Sequence, residues 1–293
     1  MTRARPGIIP CELLPETRSR ISRFAESLER HAAQVGNHGL TAEEFEQSGL
    51  LRAAIEKLRG TQAAATTVKR RFMKDVMDHL TEHGEIVSWD FRGTGERYDY
   101  EIRMANKRVS IVETKGCLDG NNTNIFQRPA QADEFIIWSL CQNPGADPRR
   151  NAWSGLHTRL GAEIIHRREK VDAVILWDMV CGTVGRPCPK LAADPSRCTE
   201  IGRGRRVPPP CIYLMPRSVP DPRNNPAPPC SAVEDVSLVG ALMRAFKADA
   251  SDIVEVHIES RVEDATVQRR TRFVREGHEI ASSQWTSIRR ARA

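Results

Sequence analysis

Between residues 66 and 115 the apolar positions change period, and the change divides the segment into a helix and strands. Val68, Phe72, Val76 and Leu80 recur every four residues with Met73 and Met77 beside them, and Gly84 stands where such a helix would end. The runs at 85–91, 97–104 and 107–115 then read as three strands. Gly93 and Gly95 mark the first turn between them and Ala105-Asn106 the second.

Upstream, residues 1–60 read as a polar helical region, with Ile21, Phe24 and Leu28 on one stripe and Leu50, Leu51, Ile55 and Leu58 on another. Downstream of a Gly/Asn-rich loop at 116–124, helical periodicity is predicted over 131–141. It continues through Trp153, Leu156, Leu160, Ile164 and Ile165. The run 171–177 is short, apolar and β-rich, as a strand covered on both faces is. The predicted order is helix, three strands, helices, strand. That order implies an α/β fold with a mixed central β-sheet flanked by helices.

From residue 179 the character changes. Nine of the eighteen prolines fall between 208 and 229, which predicts an irregular excursion apart from a strand at 211–215. Residues 233–247 read as a helix, and 253–260 with 266–275 as a hairpin. The expected organisation is a helical region at 1–60, a core at 61–178, a Pro/Cys-rich excursion at 179–232, and a C-terminal helix and hairpin at 233–293 that pack on the core.

Composition narrows the class. With 40% hydrophobic and 28% charged residues in 293, the chain can bury a full core and is not of the disordered kind. The longest interior apolar run, 173–177, is far too short to cross a bilayer as a helix. Arg3, Arg5, Glu12, Glu16, Arg18 and Arg20 break up any signal-peptide core, and the eight cysteines follow no disulfide framework. Reduced thiols in the cytoplasm are the expectation. The net charge is +6, and only eight of the 44 basic residues are lysine. Arginine's planar fork suits phosphates and base edges, although a GC-rich genome produces the same bias.

The chemistry lies in the run that ends Glu113-Thr114-Lys115. A carboxylate and an ammonium two residues apart on a strand point to one face. The preceding strand brings Asp99 to the same sheet edge. Phosphodiester hydrolysis needs an oriented water, neutralised phosphate oxygens and a stabilised leaving group. Mg²⁺ held by hard oxygens serves all three. Asp99 and Glu113 would supply those oxygens, with the Thr114 backbone carbonyl as a third ligand. Lys115 would hold the attacking water or the developing charge. Among the eight lysines only Lys115 has an acid two residues before it. Glu101 and Asp90 compete with Asp99 if the hairpin register differs.

This arrangement resembles the PD-(D/E)XK nuclease superfamily over roughly residues 62–178, with Asp99 matching the first acid, Glu113 the second and Lys115 the lysine. Tyr98 stands where the family often has proline. The resemblance implies a restriction endonuclease-like core, helix-β-β-β-helix-β, and a Mg²⁺-dependent DNA endonuclease acting on double-stranded DNA. The role it favours is that of a type II restriction enzyme in a restriction-modification system. Repair or recombination nucleases share the core. Some members add an acid from the first helix, and Asp75 is the candidate here. Palindromic targets would call for a homodimer.

Other motifs compete. His79-Leu80-Thr81-Glu82-His83 fits an inverted zinc-peptidase pattern, but a histidine at a helix end is favoured by the dipole alone. Cys181, Cys188, Cys198 and Cys211 would make a zinc site only at unusual spacings of seven, ten and thirteen. Cys117 follows Lys115-Gly116 with no general base nearby in sequence. Among the basic clusters, Arg269, Arg270 and Arg272 on the C-terminal hairpin are the expected DNA-facing group, since a two-stranded ribbon fits the major groove. A non-catalytic DNA-binding module remains the alternative to an enzyme.

Overall fold

In the computed structural model, which describes residues 7–9, 19, 40–48, 66–93, 98–116, 128–140, 152–177, 179–183 and 186–288, the N-terminal region contributes helix α1 (Ala42–Ser48). A capping box starts it: the Thr41 amide donates to the Glu44 carboxylate (2.8 Å) and the Glu44 amide to the Thr41 hydroxyl (3.3 Å). The apolar stripes expected at 21–28 and 50–58 lie outside the described residues, as does Cys117. Helix α2 (Thr66–Glu82) follows the predicted stripe, and Phe72, Met73, Val76, Met77 and Leu80 are all fully buried. It ends in a Schellman turn. The Glu85 amide donates to the Leu80 carbonyl and the Gly84 amide to the Thr81 carbonyl, both at 3.0 Å, with Gly84 at φ +70°.

Strands β1 (Ile86–Phe91), β2 (Tyr100–Met104) and β3 (Val109–Lys115) form the expected antiparallel meander. The helix expected over 131–141 is instead strand β4 (Glu134–Ser139), which pairs parallel to β3. All of its side chains are buried: Ile136 and Trp138 enter one core, Phe135 and Ile137 the other. A segment covered on both faces has no polar side from which a period of two can be read. The helix follows it as a π-wound stretch, Trp153–Leu160, that continues into α3 (Gly161–Arg167) and leads to β5 (Ala173–Leu176), parallel to β4. The described order is therefore helix, four strands, helix, strand.

The later residues extend the same sheet. Beyond α4 (Pro189–Ala193), a separate hairpin pairs β6 (Thr199–Ile201) with β7 (Arg205–Val207). Strand β8 (Cys211–Leu214) lies antiparallel beside β5. Helix α5 (Ser237–Ala245) then leads to the hairpin β9 (Ile253–Glu263) and β10 (Thr266–Arg275), to β11 (His278–Ser282) and to β12 (Thr286–Ser287). The result is a ten-stranded mixed sheet in the order β1-β2-β3-β4-β5-β8-β9-β10-β11, with β12 also on β10. Helices α2 and α5 cover one face through Phe72, Val76, Leu242 and Phe246. The 153–167 helix covers the other through Leu156, Leu160 and Ile164. Within the proline-rich part, buried Lys190 donates to the Pro209 and Pro210 carbonyls (2.8 and 3.2 Å) and pairs with Asp252 (2.9 Å). That ammonium ties the excursion to the start of β9. No described helix is long and apolar enough to cross a membrane.

His157 supplies a pH-dependent element. It is buried under β10, where Arg269 donates to its Nδ1 at 3.4 Å. Burial, and then the Arg269 charge, push its pKa from 6.5 down to about 4. The unfolded chain takes up this proton near 6.5 and the fold resists it until about 4, so the contribution is complete above 6.5 and is lost as the pH falls toward 4. We expect the urea midpoint to fall less steeply in His157→Gln than in the native protein across that interval. Parallel curves for the two proteins would show that His157 does not carry this dependence.

Candidate active site

The end of the β2–β3 pair is built by an irregularity in its ladder. Register partners include Ile102 with Ser110 and Tyr100 with Val112, and the Met104 amide donates to the Arg108 carbonyl (2.9 Å), so alternate pairs exchange hydrogen bonds. At Val112 the pattern breaks. The Asp99 amide also donates to the Val112 carbonyl (3.1 Å), so Asp99 and Tyr100 both oppose one residue. This is a β-bulge, and it turns Tyr98 and Tyr100 into opposite cores although they are two residues apart. The next amide facing β2 is that of Thr114. It donates to the Asp99 carboxylate (2.7 Å), and the Thr114 hydroxyl donates to the same oxygen, Oδ2. A side chain thus replaces the backbone acceptor where the ladder stops.

Asp99 is thereby held on the side of α2, and Glu113 extends from the Ile111 side. Both acids stand at the same end of the β2–β3 pair, and the charge of Asp99 acts on Glu113. Burial raises the pKa of Glu113; the Lys115 ammonium opposes the rise and the Asp99 charge adds to it. Lys115 Nζ donates to Glu113 Oε1 at 2.8 Å, with both side chains largely shielded from solvent. The expected sharing of one face by Glu113 and Lys115 is therefore realised. Thr114, expected as a ligand through its carbonyl, meets Asp99 through its amide and hydroxyl.

A fourth charged group joins them. Lys69, on the first turn of α2, is half-buried, and burial lowers its pKa while the Asp99 charge opposes that fall. A Cβ placed on Gly116 would lie 3.7 Å from Lys69 Nζ, so this ammonium reaches the end of β3. Sequence reasoning missed Lys69. The one available signal was its type: a chain that uses arginine for most basic positions keeps lysine at 69 and at 115.

The other candidates are placed elsewhere. Asp75 does not join the carboxylates: it lies against the β6–β7 turn, where a Cβ on Gly202 would come within 2.5 Å of its carboxyl carbon, and its Oδ2 is 3.8 Å from Arg205. Glu101 is buried and accepts from the Tyr98 hydroxyl and from Arg92, both at 2.9 Å. Burial would raise its pKa, but Tyr98, Arg92 and Arg103 outweigh it and hold the carboxyl below its usual range. Asp90 is opposite Glu101 in the β1–β2 register, on the strand beyond β2 from Glu113. Strand alternation separates the three arginines. Arg269 is buried against His157, whereas Arg270 and Arg272 are on the opposite face, with Arg272 bound to Glu259 at 2.8 Å. Nor is β10 a free ribbon, since it pairs on both edges.

The zinc alternatives find other uses. His79 Nε2 lies 3.3 Å from the Ala245 carbonyl, and His83 Nδ1 lies 2.8 Å from the His79 carbonyl. Arg206 donates to Cys198 (3.1 Å), Lys190 to Cys211 (3.5 Å), and the free thiols Cys181 and Cys188 are hydrogen-bonded to each other. Among the described residues no group of three His, Cys, Asp or Glu side chains is arranged to hold a metal ion. What Asp99 and Glu113 offer is narrower. Among the described residues each has one oxygen engaged, Oδ2 and Oε1, and no hydrogen bond on the other. Hard carboxylate oxygens are the donor type that a small divalent cation completed by water takes.

No protein-family model, curated protein or solved structure matches the chain.

The Glu113–Lys115 pair has a testable energetic consequence. Lys115→Met would leave the Glu113 carboxylate shielded without its ammonium, at an expected cost of about 1–3 kcal/mol in urea unfolding. Adding Glu113→Gln to that variant should recover most of the loss, which a double-mutant cycle measures. Additive losses would mean the pair is not coupled.

Proposed function

We propose that this chain is a Mg²⁺-dependent DNA endonuclease of the PD-(D/E)XK type, with a type II restriction enzyme as the favoured role. The observation that carries the reading is Lys115 Nζ at 2.8 Å from Glu113 at the end of β3, beside Asp99, which is held by the Thr114 amide and hydroxyl. The meander β1–β2–β3 followed by the parallel strands β4 and β5 supports it, because that order of strands brings Asp99 and Glu113 to the same end of neighbouring strands.

Asp99 and Glu113 would hold the cation. Bound there, Mg²⁺ supplies Lewis-acid neutralisation of the phosphate oxygens and lowers the pKa of an attacking water. The chain's own groups do the rest. The Thr114 amide and hydroxyl fix one oxygen of Asp99, which leaves the other pre-oriented without further ordering cost. Lys115 holds the attacking water or the charge that builds on the phosphate, once a substrate draws it from Glu113. Arg270 and Arg272 remain on one face of β10 as phosphate contacts; Arg269 does not belong with them. A homodimer would present two such sites to a two-fold-symmetric DNA target.

Repair and recombination nucleases with the same core are the alternative within this class. A binding module with an inert acidic edge is a second reading, favoured by the use of Lys115 in an internal ion pair.

Plasmid cleavage with and without Mg²⁺ separates them. The restriction reading expects discrete fragments that need Mg²⁺ and that fall at least about a hundredfold in Asp99→Ala and Lys115→Ala, the scale of losing one transition-state contact. Structure-selective nicking would favour repair. Retained DNA binding with no cutting by the native protein would establish the binding module instead.

A further inference from the structure

We infer that Lys69 is a phosphate-binding cation of this site, standing where a second divalent ion would otherwise be needed, so that the site takes one metal ion per chain. This rests on the nuclease reading of the same strand ends and adds to it the number of ions and the group that replaces the second.

Two-metal hydrolases clamp the attacking and leaving oxygens between ions about 3.5–4 Å apart, and the second ion needs carboxylates of its own. Among the described residues, the first core helix is the neighbouring element that could supply one. Its acid nearest the buried stripe, Asp75, is directed to Gly202 and Arg205 instead. The same helix sends an ammonium to the strand ends: Lys69 Nζ lies 3.7 Å from the Cβ position of Gly116, the residue that follows Lys115, and its charge acts on Asp99. Lys69 acts on Asp99 from the helix side, while Lys115 is engaged with Glu113.

Charge balance favours a single ion. The carboxylates of Asp99 and Glu113 and the ammonium groups of Lys69 and Lys115 cancel formally. One divalent cation then matches the two negative charges that a phosphodiester carries as the nucleophile adds. A second ion would leave the site with a positive excess that the described groups do not offset. Lysine suits this position better than arginine, since a compact ammonium on a flexible stem can approach one phosphate oxygen as a point charge.

The test uses the full chain, a duplex DNA fragment in EDTA, and Mn²⁺ in calorimetry without DNA. Lys69→Met should bind the fragment more weakly, with the slope of log K against log salt smaller by about 0.9, the value for one lost phosphate contact on duplex DNA. Lys69→Arg should keep most of that slope. The native protein should bind one Mn²⁺ per chain, and Asp99→Ala should abolish the binding. An unchanged salt slope and unchanged cleavage in both Lys69→Met and Lys69→Gln, or two Mn²⁺ ions per chain, would overturn the inference while plasmid cutting by the native protein left the nuclease reading standing. Failure of the native protein to cut plasmid with Mg²⁺ would remove that reading, and this inference with it.

Discussion

One amide decides the geometry of the strand ends. The Thr114 N–H faces β2 after the ladder has used its last regular pair, and a buried amide without an acceptor is costly. Asp99 meets it with a carboxylate oxygen, and the bulge at Asp99-Tyr100 is what turns the side chain toward it. A regular strand would have answered Thr114 with a backbone carbonyl and aimed Asp99 elsewhere. The same device brings Asp99 within the field of Lys69 and leaves Glu113 to Lys115. Four charges are thus assembled by a hydrogen-bond requirement of the sheet.

The frame behind them is rigid for a separate reason. β4 and β5 are covered on both faces, and Trp138 and Trp177 stack at 6.0 Å between α2 and the sheet. Close packing of this kind transmits little slack to the strand ends. The C-terminal half adds to the frame: β8 pairs with β5, β9 with β8, and the Lys190–Asp252 pair secures the proline-rich segment. Removing one partner of so buried a pair leaves an uncompensated charge, which is why the segment stays attached despite its irregular backbone.

Much of the fold was legible because its elements keep one polar face. The α2 stripe and the C-terminal hairpin alternate buried with more exposed positions, and the meander was marked by its turns; each formed where these signals put it. β4 failed that test: Glu134, Phe135, Ile136, Ile137 and Trp138 are buried together, Glu134 through bonds to Ser110 and to the start of α5, so the run has no exposed side to betray a strand. The site was legible in part. Glu113 and Lys115 share a face by strand period alone. The bulge that turns Asp99 was not readable, since it depends on which amide the partner strand leaves unpaired. Asp75 was expected at the site and lies instead against Gly202 and Arg205, while Lys69 was not anticipated; which flank of a helix meets the strand ends is set by packing that the apolar stripe does not report. Arg269 was lost to the interior by the same alternation that predicts strands, applied one residue away from the correct face.

The central claim is that the oxygens of Asp99 and Glu113 left without protein hydrogen bonds among the described residues share a divalent cation. Anomalous diffraction from crystals grown with Mn²⁺ tests it most directly. The account predicts one strong peak bridging the carboxylates of Asp99 and Glu113, near the end of β3 and flanked by Lys69 and Lys115. A peak at other residues, or none there while Lys115 stays on Glu113, would contradict it.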